Sequence, residues 1–156
     1  MTLPFNEMPA NSRIWIYQSD RKLNDSELDQ IKLKLTDFLK NWTAHGDDLK
    51  SSFEIRYDRF IIIALNEKSA KASGCSIDAC VHFIQQIEKD YNISLLDKMN
   101  VAFKQGEYVS YKSIVEFKSL IKNNSVSKNT IVFNNLVLDI GDYKNNWEVP
   151  ACKSWH

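Results

Sequence analysis

Hydrophobic and polar positions follow two periods along this chain, and each switch of period marks a predicted element. Residues 13–19, RIWIYQS, are rich in β-branched and aromatic side chains and predict a first strand. Beyond it, Leu28, Ile31, Leu35, Phe38, Leu39 and Trp42 keep the helical repeat through DSELDQIKLKLTDFLKNWTA. Asn24, followed three residues on by Glu27, opens this helix with a reciprocal cap, and Gly46 is expected to stop it in a left-handed turn.

The period then shortens to two. In LKSSFEIRY, Leu49, Phe53, Ile55 and Tyr57 share one side and Lys50, Ser52, Glu54 and Arg56 the other, as an outer strand with one wet face requires. FIIIAL, residues 60–65, is apolar on both sides and belongs in the middle of a covered sheet. From Ser76, the spacing Ile77, Val81, Ile84, Ile87 and Tyr91 predicts a second helix, followed by a strand in MNVAFKQ.

This βαββαβ order predicts an α+β fold, a ferredoxin-like antiparallel sheet over residues 13–105. Right-handed crossovers place both helices on one face of that sheet. The other face is also apolar, so the C-terminal segment or a second subunit is expected to cover it, and a homodimer through the open sheet face is one expectation. Residues 106–156 form a C-terminal extension packing on the core, with a helix in SIVEFKSLIKNN, a strand in TIVFNNLV and an aromatic tail, NWEVPACKSWH. Trp147 and Trp155, on either side of Pro150, are read as anchors of that tail.

Composition narrows the function classes. Lys plus Arg equals Asp plus Glu at 20 each, which supplies no excess charge for nucleic acid or an anionic membrane. The start, MTLPFNEMPANSR, has no charged and apolar leader pattern, and no apolar run is long enough to cross a bilayer. A cytoplasmic protein without membrane insertion is expected. Three cysteines are too few and odd in number for a disulfide framework, which fits free thiols.

The densest cluster of reactive side chains is GCSIDACVHF, residues 74–83. Cys75, at a helix N-terminus, is placed to act as a nucleophile or redox thiol. His82 is seven residues on, about 10 Å along the axis, too far for a direct hydrogen bond within one helix. Asp78 and His82 stand four apart and share a face, and His45 is the better partner arriving from elsewhere. Cys75, Cys80, Cys152 and His156 have C-x4-C and C-x3-H spacing; the first half is not a zinc knuckle, so no metal is expected. Cys80 falls on the apolar stripe and reads as packing. Ser76 is read as the helix cap and a weak ligand contact. Arg56 can meet an anion, and Asn134 and Asn135 interrupt an apolar strand as a turn, a bulge or a ligand contact.

GEYVSYKS, residues 106–113, comes near the phosphate-loop pattern, but Tyr111 stands where bare glycine backbone must wrap phosphates. No cofactor follows from the sequence. The expectation is a binding or interaction module for a small ligand or protein partner, with a small Cys75 enzyme as the alternative.

In combination, WIYQSDR, NWTAHG, FEIRYDRF, SGCSID with VHFI, TIVFNNLV and WEVP with SWH resemble a family of uncharacterised bacterial proteins often labelled ABC transporter ATPases. The resemblance runs from Arg13 to the end and implies that label without assigning catalytic residues. SIVEFKSLIKNNSVSKNTIVFNN also looks like the helix, turn and strand of peptide-binding GYF-type domains, without their aromatic signature.

Overall fold

A computed structural model of the chain describes residues 2–153 and divides into two compact units. The first runs through Leu96 and takes in Leu138–Gly141; the second holds Asp97–Val137 and the segment from Asp142 onward. Both mix helices with antiparallel sheet, so the chain is α+β.

In the first unit, β1 (Arg13–Gln18), β4 (Lys50–Arg56) and β5 (Phe60–Asn66) form a sheet in the order β1-β5-β4, with both pairings antiparallel. β5 takes the middle because its residues have no polar side to give to water: Phe60 through Leu65 are all buried. Phe60, Ile62 and Ala64, on the side away from the helices, are as inaccessible within this one chain as Ile61 and Ile63.

Two helices pack on the sheet. α1 (Asp25–Lys40) opens on the Asn24–Glu27 reciprocal cap and buries Leu28, Ile31, Leu35 and Leu39. It ends four residues before the predicted end. Asn41 caps it, its side-chain amide donating to Asp37 O at 2.9 Å. Gly46 therefore does not stop the helix. With His45 it makes the two-residue turn of a small hairpin, β2 (Thr43–Ala44) against β3 (Asp47–Asp48), both turn residues having positive φ, 53° and 83°. Trp42, just past the helix, still enters the core.

α2 (Gly74–Tyr91) is capped by Ser73 rather than Ser76. The Ser73 hydroxyl accepts from Ser76 N–H at 3.0 Å, and the Ser76 hydroxyl accepts from Ser73 N–H at 2.7 Å. Cys80, Ile84 and Ile87 face the sheet, and Asn92 closes the helix in a left-handed conformation.

MNVAFKQ departs from the ferredoxin-like sheet. Its strand, β6 (Asn100–Gln105), pairs antiparallel with β7 (Tyr108–Ser113) across a turn at Gly106 (φ 63°), and with β8 (Ile131–Phe133) on its other side. β9 (Glu148–Pro150) completes that sheet in the order β7-β6-β8-β9. A boundary at 105/106 would cut a six-pair hairpin, which is why the units part at 96/97. α3 (Ile114–Lys122) buries Phe117 against Val101, Phe103 and Val132. A further short helix, α4 (Ile140–Asn146), fills the stretch between TIVFNNLV and the aromatic tail, for which the sequence predicted no element.

Candidate functional site

The first unit has a cavity of about 610 Å³ where the C-terminal end of α1, the β2–β3 hairpin and the first turn of α2 meet. Local rules build each wall. α1 carries Phe38 and Asn41 to its last turn, and Trp42 donates its indole N–H to Ser76 O at 2.8 Å, tying the end of α1 to the start of α2. The hairpin turn holds His45 out at the rim, exposed. The Ser73 cap starts α2 so that Cys75 falls in the first turn, exposed and free, facing the same space.

The cavity thus has an apolar floor, Phe38 and the edge of Trp42, below a polar rim of Asn41, Thr43, His45 and Ser73. Phe38 is held from behind by Phe83, stacked with centroids 4.5 Å apart and planes 13° apart. Trp42 also meets Trp15 edge-on at 6.0 Å. These ring contacts fix the floor before any ligand arrives. The Ser73–Ser76 exchange satisfies two of the donors at the start of α2; among the described residues the Gly74 and Cys75 N–H groups have no protein acceptor.

Cys75 and His45 both line this cavity. His82 does not. It lines a separate hollow of about 710 Å³ with Gln86, Lys89 and Ser94 towards the other end of α2. Among the described residues no hydrogen bond joins Cys75 to an imidazole, and Asp78, exposed on α2, forms no ion pair with His82. The i, i+4 spacing allowed that pair, but both side chains are solvated and nothing holds them in one geometry.

Cys80 is the reverse of Cys75. It lies in the core with its sulfur 3.7 Å from the Tyr17 hydroxyl, and burial pushes its thiol up to about 11. Burial, followed by the neighbouring Cys80, raises the Tyr17 hydroxyl as well. Neither is a reagent at neutral pH.

The remaining candidates have structural places. Arg56 lies over the Tyr57 ring at 5.3 Å. Asn134 accepts from Leu136 N–H at 3.2 Å in a local turn, and Asn135 accepts from the Trp147 indole N–H at 2.9 Å. GEYVSYKS is the β6–β7 hairpin, with Lys112 opposite Val101 in the ladder and Ser113 capping α3, so no loop is left there to wrap a phosphate. Among the described residues no group of three or more metal-ligating side chains converges. His156 and Trp155 lie outside the described residues. No helix of the described chain is long and apolar enough to cross a membrane.

The hairpin that brings His45 to the rim was missed from sequence. Its signal was present, since His45–Gly46 between Thr43–Ala44 and Asp47–Asp48 fits a two-residue turn as well as a helix stop. Comparison with protein-family models, curated proteins and solved structures found no match.

Proposed function

We propose that the chain is a binding module whose first unit takes a small organic ligand into the Cys75–His45 cavity. One observation carries this reading: aromatic floor, polar rim and an exposed thiol converge from three separate segments on one hollow of about 610 Å³. That volume and this mixture of an apolar base with a few polar groups are typical of small-molecule sites. A flat apolar group would lie against Phe38 and Trp42, with its polar atoms towards His45, Asn41 and the Gly74 and Cys75 N–H groups.

Disulfide-capped fragments read by mass spectrometry test it. Cys152, also exposed but outside this cavity, is the built-in control. Aromatic fragments are expected to be retained at Cys75 under partly reducing conditions that strip them from Cys152, and Phe38→Ala to abolish the preference. Equal retention at both thiols across the fragments would count against the site.

A second reading, Cys75 as nucleophile or redox thiol, is favoured by His45 sharing the cavity. Iodoacetamide reacting with Cys75 many times faster than with Cys152 at neutral pH would support it; equal rates would remove it. ATP hydrolysis is not part of either reading. The ferredoxin-like description of the first unit belongs here too. Three strands in the order β1-β5-β4, with helices after β1 and β5, support it; beside β1, where such a fold places its last strand, residues 138–140 bond to Ser12 and Ile14 instead. The reading calls for no nucleic acid, membrane or cofactor, and it assumes a cytoplasmic setting.

A further inference from the structure

Among the residues that line the Cys75–His45 cavity, Asp37 is the only acid, and no lysine or arginine is present. Asp37 precedes Phe38 on α1, and Asn41 and Trp42 follow these two at a spacing of four. A polar row, Asp37 and Asn41, therefore runs alongside the apolar row of Phe38 and Trp42 at the end of that helix. Asp37 is exposed, and among the described residues its carboxylate enters no ion pair.

The helix has no use for this charge. Asp37 lies in the last turn of α1, where the carbonyl ends already carry partial negative charge and a carboxylate opposes the dipole. α1 closes without it: Lys40 is the basic residue of that turn, and the Asn41 amide bonds the backbone oxygen of Asp37, not its side chain. A side chain that works against its own helix and faces a hollow is placed for what enters the hollow.

The charge of that occupant follows from the lining. On the wall opposite α1, the Gly74 and Cys75 N–H groups suit the lone pairs of a hydroxyl or carbonyl oxygen. The full charge of a carboxylate or phosphate would instead meet Asp37 with no lysine or arginine on the lining to offset it. The rings discriminate in the same direction, because the face of a π-system is negative and attracts a cation.

We propose that the ligand of this cavity is a small aromatic amine bound as its ammonium ion, its ring against Phe38 and the edge of Trp42 and its ammonium paired with Asp37. This rests on the cavity being a ligand site, and adds the charge of what it takes. Because Asp37 is exposed, the pair sets a preference among ligands and leaves most of the affinity to the apolar floor.

Three probes that share one phenylethyl body test the assignment: 2-phenylethylamine, 2-phenylethanol and 3-phenylpropionate, which at neutral pH are cationic, neutral and anionic. Each is titrated into the full chain at low salt while the Trp42 indole N–H is followed by NMR. The amine is expected to bind roughly three- to fivefold more tightly than the alcohol, and the propionate most weakly, with the differences shrinking as salt is added. Asp37→Asn should bring amine and alcohol to equal affinity, and Asp37→Lys, which also suits the end of the helix, should place the propionate ahead of the amine. Asp78→Asn, which removes an exposed acid of α2 outside the cavity lining, should leave the native order intact. If the alcohol or the propionate shifts Trp42 at the same or lower concentration than the amine in the native chain, the ammonium assignment is overturned while the cavity remains a ligand site. An order unchanged in both Asp37 variants, or altered equally by Asp78→Asn, overturns the role of Asp37. If none of the probes moves Trp42, the cavity reading falls and the assignment with it.

Discussion

The two units solve the same packing problem with unequal means. In the first, α1 and α2 each open on a reciprocal cap and are pinned to each other by polar contacts: Arg21 bidentate on Glu27 and also on Tyr91 O, Lys34 on Asp90, and Tyr91 on Gln30. In the second, α3 is half as long, its core gathers around Phe103, Phe117 and Val132, and Met99, Tyr108, Val115 and Leu136 are left largely exposed. Charge divides as well. The first unit has 12 Lys and Arg against 15 Asp and Glu, the second 8 against 5, so a neutral total hides two units of opposite sign. A cavity with a fixed floor needs stiff walls, and it is the first unit that has them.

Truncating a core side chain in each unit is the strongest way to break this contrast. Phe117→Ala should cost about 3–5 kcal/mol, removing the central ring of a small core, and Ile63→Ala about 2–5 kcal/mol. Amide exchange would show which unit loses protection. If Phe117→Ala spares the second unit's amides, the second core is not organised around that ring.

Next in size is the clamp at the start of α1. The Arg21 guanidinium and then the Asn24 N–H hold the Glu27 carboxyl down to about 2. A depressed carboxylate contributes stability that is complete above its ordinary value near 4.5 and is lost as pH falls towards 2. Denaturant melts of Glu27→Ala should show a loss of about 1–2 kcal/mol at neutral pH, from cap and ion pair together. The variant's stability should vary less than that of the native chain between those two pH values; parallel curves would show that the clamp contributes nothing.

Asn135→Ala leaves the Trp147 indole N–H without its acceptor and should cost the second unit about 1–2 kcal/mol by the same melts. Smallest is Lys34→Ala, whose partner Asp90 is held below the usual carboxylate range by that lysine. Its exposed geometry predicts less than about 1 kcal/mol, fading in high salt.

Much of the first unit was legible in the sequence because its signals are local. The Asn24–Glu27 cap, the doubly apolar FIIIAL and the inward Cys80 each follow from spacing within a few residues. Non-local choices were not legible. A strand pattern in MNVAFKQ does not say which sheet it joins; the tight turn at Gly106 decided that by pairing β6 with β7. A glycine four residues past a helix stripe reads as a stop until the hairpin around His45 is seen. Asn135 meets Trp147 only because β8 and β9 pair. The cavity combines the end of α1, a hairpin and the start of α2, the last some thirty residues further on, so the sequence offered Cys75 and His45 as candidates without their shared wall.

That shared wall is the central claim, and two-dimensional NMR of the full chain during titration with a small aromatic fragment retained at Cys75 tests it most directly. The account predicts shifts confined to the Trp42 indole N–H, Thr43–Gly46 and Gly74–Ala79, with the hollow around His82 and the second unit silent. Shifts centred on His82, or spread over the second unit with Trp42 unmoved, would contradict it.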